Sequence, residues 1–348
     1  MSKKRFRQLT RTDRLKIRWC LDHGMKKGQI AEELGVHRNT ITNELKRGAY
    51  IHRNSDWTEE VRYSPEIAHQ KHKEAGTHKG PNLKIGNDFE LANYIEKRIV
   101  EDDLSPEAVL GEIQQKGLKF DTTICVTTLY SYIRKGVFLT LEMKHLPRKG
   151  KSKQKYDHVT KTVKRAPAGA SIERRPPEIA TREHYGDWEM DLIVGCKGSR
   201  AVLLTMDERK SRKRIEMKLK DKTAVSVRKA LDRLERRYGT RRFRAIFKSI
   251  TVDNGSEFQD CEGMERSFRG SAEPRTKMFY CHPYSSYERG TNENQNGMTR
   301  RKFPKGTNFD HVTPAQVQAA EDWQNDYPRA ILGFRTANEV FNEWLETL

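Results

Sequence analysis

Between Gly186 and Gly195 runs Asp187-Trp188-Glu189-Met190-Asp191-Leu192-Ile193-Val194, a strand sequence with a carboxylate, Asp191, set among apolar residues. A charge there is costly unless it is paired or binds a metal. The runs that follow read as further strands and helices. Ala201–Met206 and Arg214–Leu219 are predicted strands. Asp221–Tyr238 is a predicted helix, with Ala224, Val227, Ala230, Leu231 and Leu234 at helical spacing. Ala245–Val252 reads as a buried strand ending in Asp253-Asn254-Gly255, and Lys277–Cys281 as a short strand. Asn292–Phe303 and Pro314–Tyr327 read as helices.

Three strands, a helix, two more strands and closing helices is the element order of an RNase H-like domain. If the strands carrying Asp191 and Asp253 are adjacent, the two carboxylates can share one cation. Glu293 lies in Gly290-Thr291-Asn292-Glu293-Asn294, where a helix starts, and that start can bring it over the same edge. Three converging carboxylates make a site for hard divalent cations with open positions. Each acid alone has a plainer role: Asp191 paired with an arginine, Asp253 capping a turn, Glu293 favoured by a helix dipole.

The first 50 residues read as helices. Thr10-Arg11-Thr12-Asp13 has capping-box spacing, and the helix it opens is expected to end near Gly24. A second helix carrying Ile30, Ala31 and Leu34 stops at Gly35, and a third begins near Arg38. Two short helices about a glycine turn fit a helix-turn-helix. The outer face of the later helix would carry Arg38, Asn39, Thr42, Asn43 and Arg47; its Arg and Asn side chains can read base edges, with Arg47 nearer phosphate. His52, His69, His72 and His78 are irregularly spaced and accompanied by no cysteine, which argues against zinc. Ser105-Pro106-Glu107 opens another helix that Gly117 ends, and Thr127–Lys135 reads as a second candidate recognition helix, with Thr127, Thr128, Arg134 and Lys135 as candidate DNA contacts.

The 348 residues carry 67 Lys and Arg against 48 Asp and Glu, a net charge of +19. That balance points to a polyanionic partner, and nucleic acid is favoured over membrane. No apolar stretch approaches the roughly 20 residues of a spanning helix, and Met1–Arg5 lacks a signal-peptide run. Five scattered cysteines suit a reduced, cytosolic setting. The basic stretch from Lys144 to Arg165 reads as a linker able to track phosphates. The expected organisation is therefore multidomain: an all-α helix-turn-helix domain over 1–50, a second helical domain over 51–140, a basic linker over 141–180, and an α/β RNase H-like domain with a mixed five-stranded sheet over 181–348.

These residues together make a recognisable pattern. The chain resembles the IS30 family of bacterial insertion-sequence transposases nearly end to end. The resemblance rests on Ile30–Val36, Gly186–Gly195, Glu208-Arg209-Lys210-Ser211-Arg212, Thr251–Phe258, His282–Asn294 and Phe303-Pro304-Lys305-Gly306-Thr307. It implies an acidic catalytic triad on Asp191, Asp253 and Glu293, two Mg²⁺ ions (Mn²⁺ able to substitute), cleavage at DNA 3′ ends and strand transfer. Partners would be double-stranded DNA, as element ends and target, and further copies of the chain in a dimer or larger assembly, in the bacterial cytoplasm at the nucleoid. Met190 stands where the family often has glycine, and 39 residues separate Asp253 from Glu293, more than the usual interval. Glu288 is thus a rival third acid, with Glu293 favoured by the Asn-Glu-Asn motif. Arg289, Arg300, Arg301 and Lys305 flank Glu293 as candidate phosphate contacts. The alternative reading is a DNA-binding regulator derived from such an enzyme, without chemistry.

Overall fold

The computed structural model describes residues 8–77, 83–148, 168–282, 288 and 290–348. They form two compact units, Met1–Leu83 and Lys84–Leu348.

In the first unit, α1 (Arg11–Asp22) starts at the expected capping box: Asp13 N donates to Thr10 Oγ1 (3.2 Å) and Thr10 N donates to the Asp13 carboxylate (2.8 Å). α2 (Lys27–Glu33) and α3 (Arg38–Arg47) follow, with Gly35 between them at φ +63°, a conformation that favours glycine. Ile17, Ile30, Ala31, Leu34 and Ile41 form the core. The chain then departs from the all-α expectation. β1 (Ala49–Arg53) and β2 (Glu59–Tyr63) make an antiparallel hairpin, and α4 (Pro65–Thr77) returns to pack Ala68 into the same core. The boundary expected at residue 50 therefore falls inside one compact unit. The hairpin gave little strand signal because Ile51 and Val61 face solvent, so no apolar alternation marks a buried face. Its anchor is Tyr63, buried so close to Gly48 that a Cβ there would lie 2.4 Å from the ring.

The second unit begins with three helices. α5 (Phe89–Val100) is capped by Asp88, and α6 (Pro106–Gln115) by Ser105 with Pro106 in its first turn, as expected. Gly117 (φ +62°) follows, then α7 (Val126–Arg134). Their core holds Ile95, Ile99, Val109, Leu129 and Ile133, and also Leu141 and Leu146. So the start of the expected 141–180 linker packs into the helical module. Its end is ordered elsewhere: Ala170–Ser171 forms β3, a strand paired with the sheet. Residues 149–167, most of the basic stretch, lie outside the described residues.

The sheet comprises β3, then, after α8 (Glu178–Thr181), β4 (Asp187–Val194), β5 (Val202–Glu208) and β6 (Arg214–Leu219). Next come α9 (Ala224–Tyr238), α10 (Thr240–Ile246), β7 (Ser249–Val252), α11 (Cys261–Glu265) and β8 (Lys277–Tyr280). The order is β3-β8-β7-β4-β5-β6. β4, β5 and β6 are antiparallel, while β7 and β8 run parallel to β4. This is the RNase H-like topology, with six strands instead of five because β3 adds a two-residue edge. Residues 245–246 belong to α10 and not to the expected strand, because Phe243, Ile246 and Phe247 bury against Trp188, whose Nε1 donates to Ile246 O (2.8 Å).

The two faces of the sheet differ in chemistry. Side chains alternate along a strand. Trp188, Met190 and Leu192 meet Val227, Leu231 and Leu234 of α9 in an apolar core. The opposite face is covered by α12 (Gly290–Lys302) and α13 (Pro314–Asn325), with α14 (Ala337–Leu345) closing the chain. There Ile193 and Leu203 pack on Phe303, Phe309 and Val317, but the rest of the face is polar. Side chains of α13 complete the exposed edge of β6. Asn325 both accepts from Arg214 N and donates to Arg214 O (2.8 Å each), and Glu321 accepts from Glu216 N (2.7 Å). An unpaired edge that could template another strand is thereby satisfied.

The helical module and the sheet belong to one unit. Ser105 N donates to Tyr327 Oη (2.8 Å), Trp323 Nε1 donates to Asp102 O (2.7 Å), and Phe334 lies against Gly111, where a Cβ would stand 2.0 Å from its ring. Gly111→Leu is therefore expected to separate these surfaces. A lower denaturant midpoint would report it, and an unchanged midpoint would contradict it.

Candidate active site

The register of β4 on β7 pairs Glu189 with Thr251. Two residues further, Asp191 is level with Asp253, the first residue past the end of β7. Adjacent strands lie about 4.8 Å apart, so the two carboxylates are neighbours at one strand edge. Each is oriented by a local bond. Asp191 accepts from Asn296 Nδ2 (2.9 Å), and Asp253 accepts from Gly255 N (2.9 Å). The edge is pinned further by Cys281 N donating to Val252 O (2.9 Å) and Asn254 Nδ2 donating to Cys281 O (2.8 Å). Buried Asn254 Oδ1, next to Asp253 in the chain, has no hydrogen-bond partner.

Glu293 sits in the first turn of α12 and is exposed. Its helix is fixed over β4: Asn292 N donates to Glu189 Oε2 (3.0 Å), Asn296 reaches Asp191, and Arg300 donates to Val194 O (2.9 Å). Glu293 is thus one turn before Asn296, on a helix that runs along β4. Its carboxylate is not gathered with the other two: among the described residues no three His, Cys, Asp or Glu side chains are placed to hold a metal. The rival Glu288 is engaged elsewhere. It accepts from His282 N (2.9 Å) and bonds His282 Nδ1 (2.8 Å), while His282 Nε2 meets Glu173 (3.1 Å). Glu288 and then Glu173 raise the His282 pKa.

In the described part of the long interval before Glu293, the chain folds around one residue. Arg275, buried, donates to Asp232 (2.6 Å), Glu235 (3.2 Å) and Met264 O (2.7 Å). The extra length thus packs on α9, away from α12.

Behind Asp191 lies a polar layer that sequence reasoning missed. Cross-strand pairs Asp191–Thr205, Glu189–Asp207, Asp207–Arg214 and Thr205–Glu216 put these side chains on one face. Arg214, fully buried, meets Glu216 (3.0 Å) and Asp207 (3.7 Å) and donates to Asn296 Oδ1. Asn296 in turn holds Asp191, so Arg214 fixes which way the Asn296 amide points. Glu189 pairs with Arg209 (3.2 Å). A signal existed in the matching parity of charged residues on three consecutive strands, and in the amide run Asn292-Glu293-Asn294-Gln295-Asn296.

Burial pushes the Asp207 carboxyl up to about 8, offset in part by Arg214. A carboxyl raised in the folded state adds stability below its unfolded range and loses it as pH rises toward the folded value. The wild type should therefore lose stability against Asp207→Asn between about pH 5 and pH 8. Parallel pH profiles in denaturant titrations would contradict this.

The candidate DNA contacts fall in several settings. On α3, Arg38, Asn39 and Asn43 are exposed. Thr42 is half-buried and donates to Arg38 O (3.2 Å), and Arg47 pairs with Glu44, which Arg14 also holds (2.6 Å). On α7, Thr127, Arg134 and Lys135 are exposed, and Thr128 meets Cys125 Sγ (3.1 Å). Beyond Glu293, Arg300 is half-buried with its pKa lowered by burial. Arg301 donates to Asp103 O and lies 4.9 Å over the Trp323 ring, so it ties the helical module to α12. Lys305 is exposed, and Arg289 lies outside the described residues. No described helix is long and apolar enough to cross a membrane.

No family model matches the chain. Individual relatives do. The transposase for insertion sequence element IS4351 of Bacteroides fragilis is 30% identical over 343 residues, covering 97% of this chain and 96% of the relative. The probable transposase for insertion-like sequence element IS1161 of Streptococcus salivarius is 30% identical, covering 97% and 94%. Transposase InsI for insertion sequence element IS30C of Escherichia coli (strain K12) is 28% identical, covering 95% and 82%. Among solved structures, the catalytic core domain of BIV integrase covers 47% of this chain at 19% identity with a TM-score of 0.34, too low to carry weight.

Proposed function

This chain belongs to the IS30 family of insertion-sequence transposases, and from that premise we propose that it binds the ends of its own element, cleaves them to 3′-OH termini and joins those termini to target DNA. The observation that carries the chemistry is the levelling of Asp191 with Asp253 on adjacent parallel strands beneath α12.

Asp191, Asp253 and Glu293 would hold divalent metal, and the fit is chemical: the donors are hard oxygens, joined by the unpartnered Asn254 Oδ1. When bound, two Mg²⁺ ions, or Mn²⁺ in their place, activate the attacking oxygen and stabilise the leaving one. The protein's own part is positioning. Gly255 N sets the Asp253 carboxylate, Asn296 sets Asp191, and Arg214 sets Asn296. Glu293 would supply the third oxygen donor from the first turn of α12. No side-chain hydroxyl need attack DNA, so no covalent protein–DNA link forms. Joining two ends requires both in one complex, hence a dimer or larger assembly.

End recognition is assigned to α3, with Arg38, Asn39 and Asn43 at base edges and Arg47 and Thr42 nearer the backbone; α7 is assigned a second contact through Thr127, Thr128, Arg134 and Lys135. Arg38→Ala and Asn43→Ala should each cost about 1–3 kcal/mol of preference for end DNA over unrelated DNA. Equal preference in a competition titration would remove α3 as the reader.

The test of the whole proposal supplies purified protein, Mg²⁺, end DNA with a free 3′-OH and a supercoiled target. Covalent joined products are expected. Specific binding with no joining and no nicking would instead favour a regulator.

A further inference from the structure

A cavity of about 370 Å³ opens between the start of α6, the start of α12 and the segment after α13. Its lining includes Arg182, Arg212 and Arg329, with Thr291 and Asn294 of α12, and Glu107 is the one acid among the lining residues. Two of these arginines, Arg212 and Arg329, are each only 8% exposed. Arg212 donates to Thr291 Oγ1 (2.7 Å) and Arg329 to Gln324 O (2.8 Å), yet the Nε of each has no partner. Among the described residues no carboxylate forms an ion pair with any of the three arginines.

Guanidinium groups so buried are normally paired. Burial lowers the pKa of both Arg212 and Arg329, the latter to about 10; Arg182 lowers that of Arg212 further. The sheet acids Asp207 and Glu189 pull the other way from behind. The backbone is strained at two of the three: Arg182 and Arg212 stand at φ +61° and +64°, a region costly for side-chain-bearing residues. Strain and unpaired buried charge thus meet at one concavity, beside the first turn of a 13-residue helix whose N–H groups favour anions.

We infer that this cavity binds a phosphate group of the DNA backbone through Arg182, Arg212, Arg329 and the first turn of α12. The source of the phosphate rests on the DNA reading above; the anion site itself does not. A phosphate held there sits beside Asn294, the neighbour of Glu293, and so couples DNA docking to the position of the third acid.

The test is the salt dependence of full-chain binding to a duplex, for the wild type, Arg182→Gln, and Asn294→Asp, which places a negative charge at the exposed rim. Loss of one phosphate contact should lower the slope of log affinity against log salt by about one, equally for end and unrelated DNA. Lys229→Gln, on α9 across the sheet, should leave the slope unchanged. Unchanged slopes in both pocket variants, or an equal loss in Lys229→Gln, would overturn the inference. Saturable inorganic phosphate binding by ³¹P NMR, lost in both pocket variants while DNA slopes hold, would overturn DNA as the source. A wild type that fails to nick DNA while the slopes fall as expected would remove the transposase reading and keep the phosphate site.

Discussion

Asp191→Asn is expected to reduce end nicking by about a thousandfold or more, equivalent to ~4 kcal/mol of barrier, while DNA affinity and melting temperature stay near wild type. The reason is positional. Asp191 lies on β4 level with Asp253 and is oriented by Asn296. An amide of the same shape preserves the packing and can still bond Asn296, but it lacks the charge a divalent cation needs. Asp253→Asn should behave alike. Asn296→Ala removes no metal donor and is expected to lower nicking about 10–100-fold, the usual cost of losing a residue that orients a ligand. It acts as a positioning residue, so its loss should be partly restored by raising the Mn²⁺ concentration, whereas loss of Asp191 should not. Nicking at wild-type rate by both aspartate variants would place the chemistry elsewhere.

The second large effect concerns stability. Arg214→Met should destabilise the fold by about 3–5 kcal/mol, because it strands Glu216 in the buried polar layer without its cation and takes from Asp207 the arginine that offsets its burial. Asn296 also loses the donor that fixes its amide. The loss should therefore appear twice: as a lower denaturant midpoint, and as reduced nicking under conditions where the variant is still folded. A midpoint within error of wild type would mean the layer is not held by Arg214.

What the sequence revealed and what it hid follow from where the information resides. Local chemistry was legible. Thr10 and Ser105 cap helices as their spacing required, Gly35 takes the left-handed conformation between α2 and α3, and the apolar strand around Asp191 pairs centrally in the sheet. Features that depend on tertiary partners were not. The hairpin of β1 and β2 is half-solvated, so it lacks a buried-face pattern. β3 is too short to have a period, and Phe247 follows a helix end, not a strand start, because α10 packs beneath Trp188. The polar layer was invisible because a run of charged strand residues reads as a solvated face until α12 and α13 are seen to cover it. Arg301 shows the same limit. Its sequence context suggests a phosphate contact, yet its guanidinium is spent on Asp103 and Trp323. The pair Asp191 and Asp253 could be argued from strand adjacency, whereas the placing of Glu293 depends on how α12 sits, which no spacing rule specifies.

The most direct test of the account is end processing by the wild type and Glu293→Gln side by side, with Mg²⁺ or Mn²⁺ and labelled DNA from the flanks of the protein's own gene. Position-specific nicks leaving a 3′-OH are expected from the wild type, dependent on metal and lost in the variant. Undiminished nicking by Glu293→Gln would contradict it, since the third carboxylate would then have to come from Glu288 or from another element.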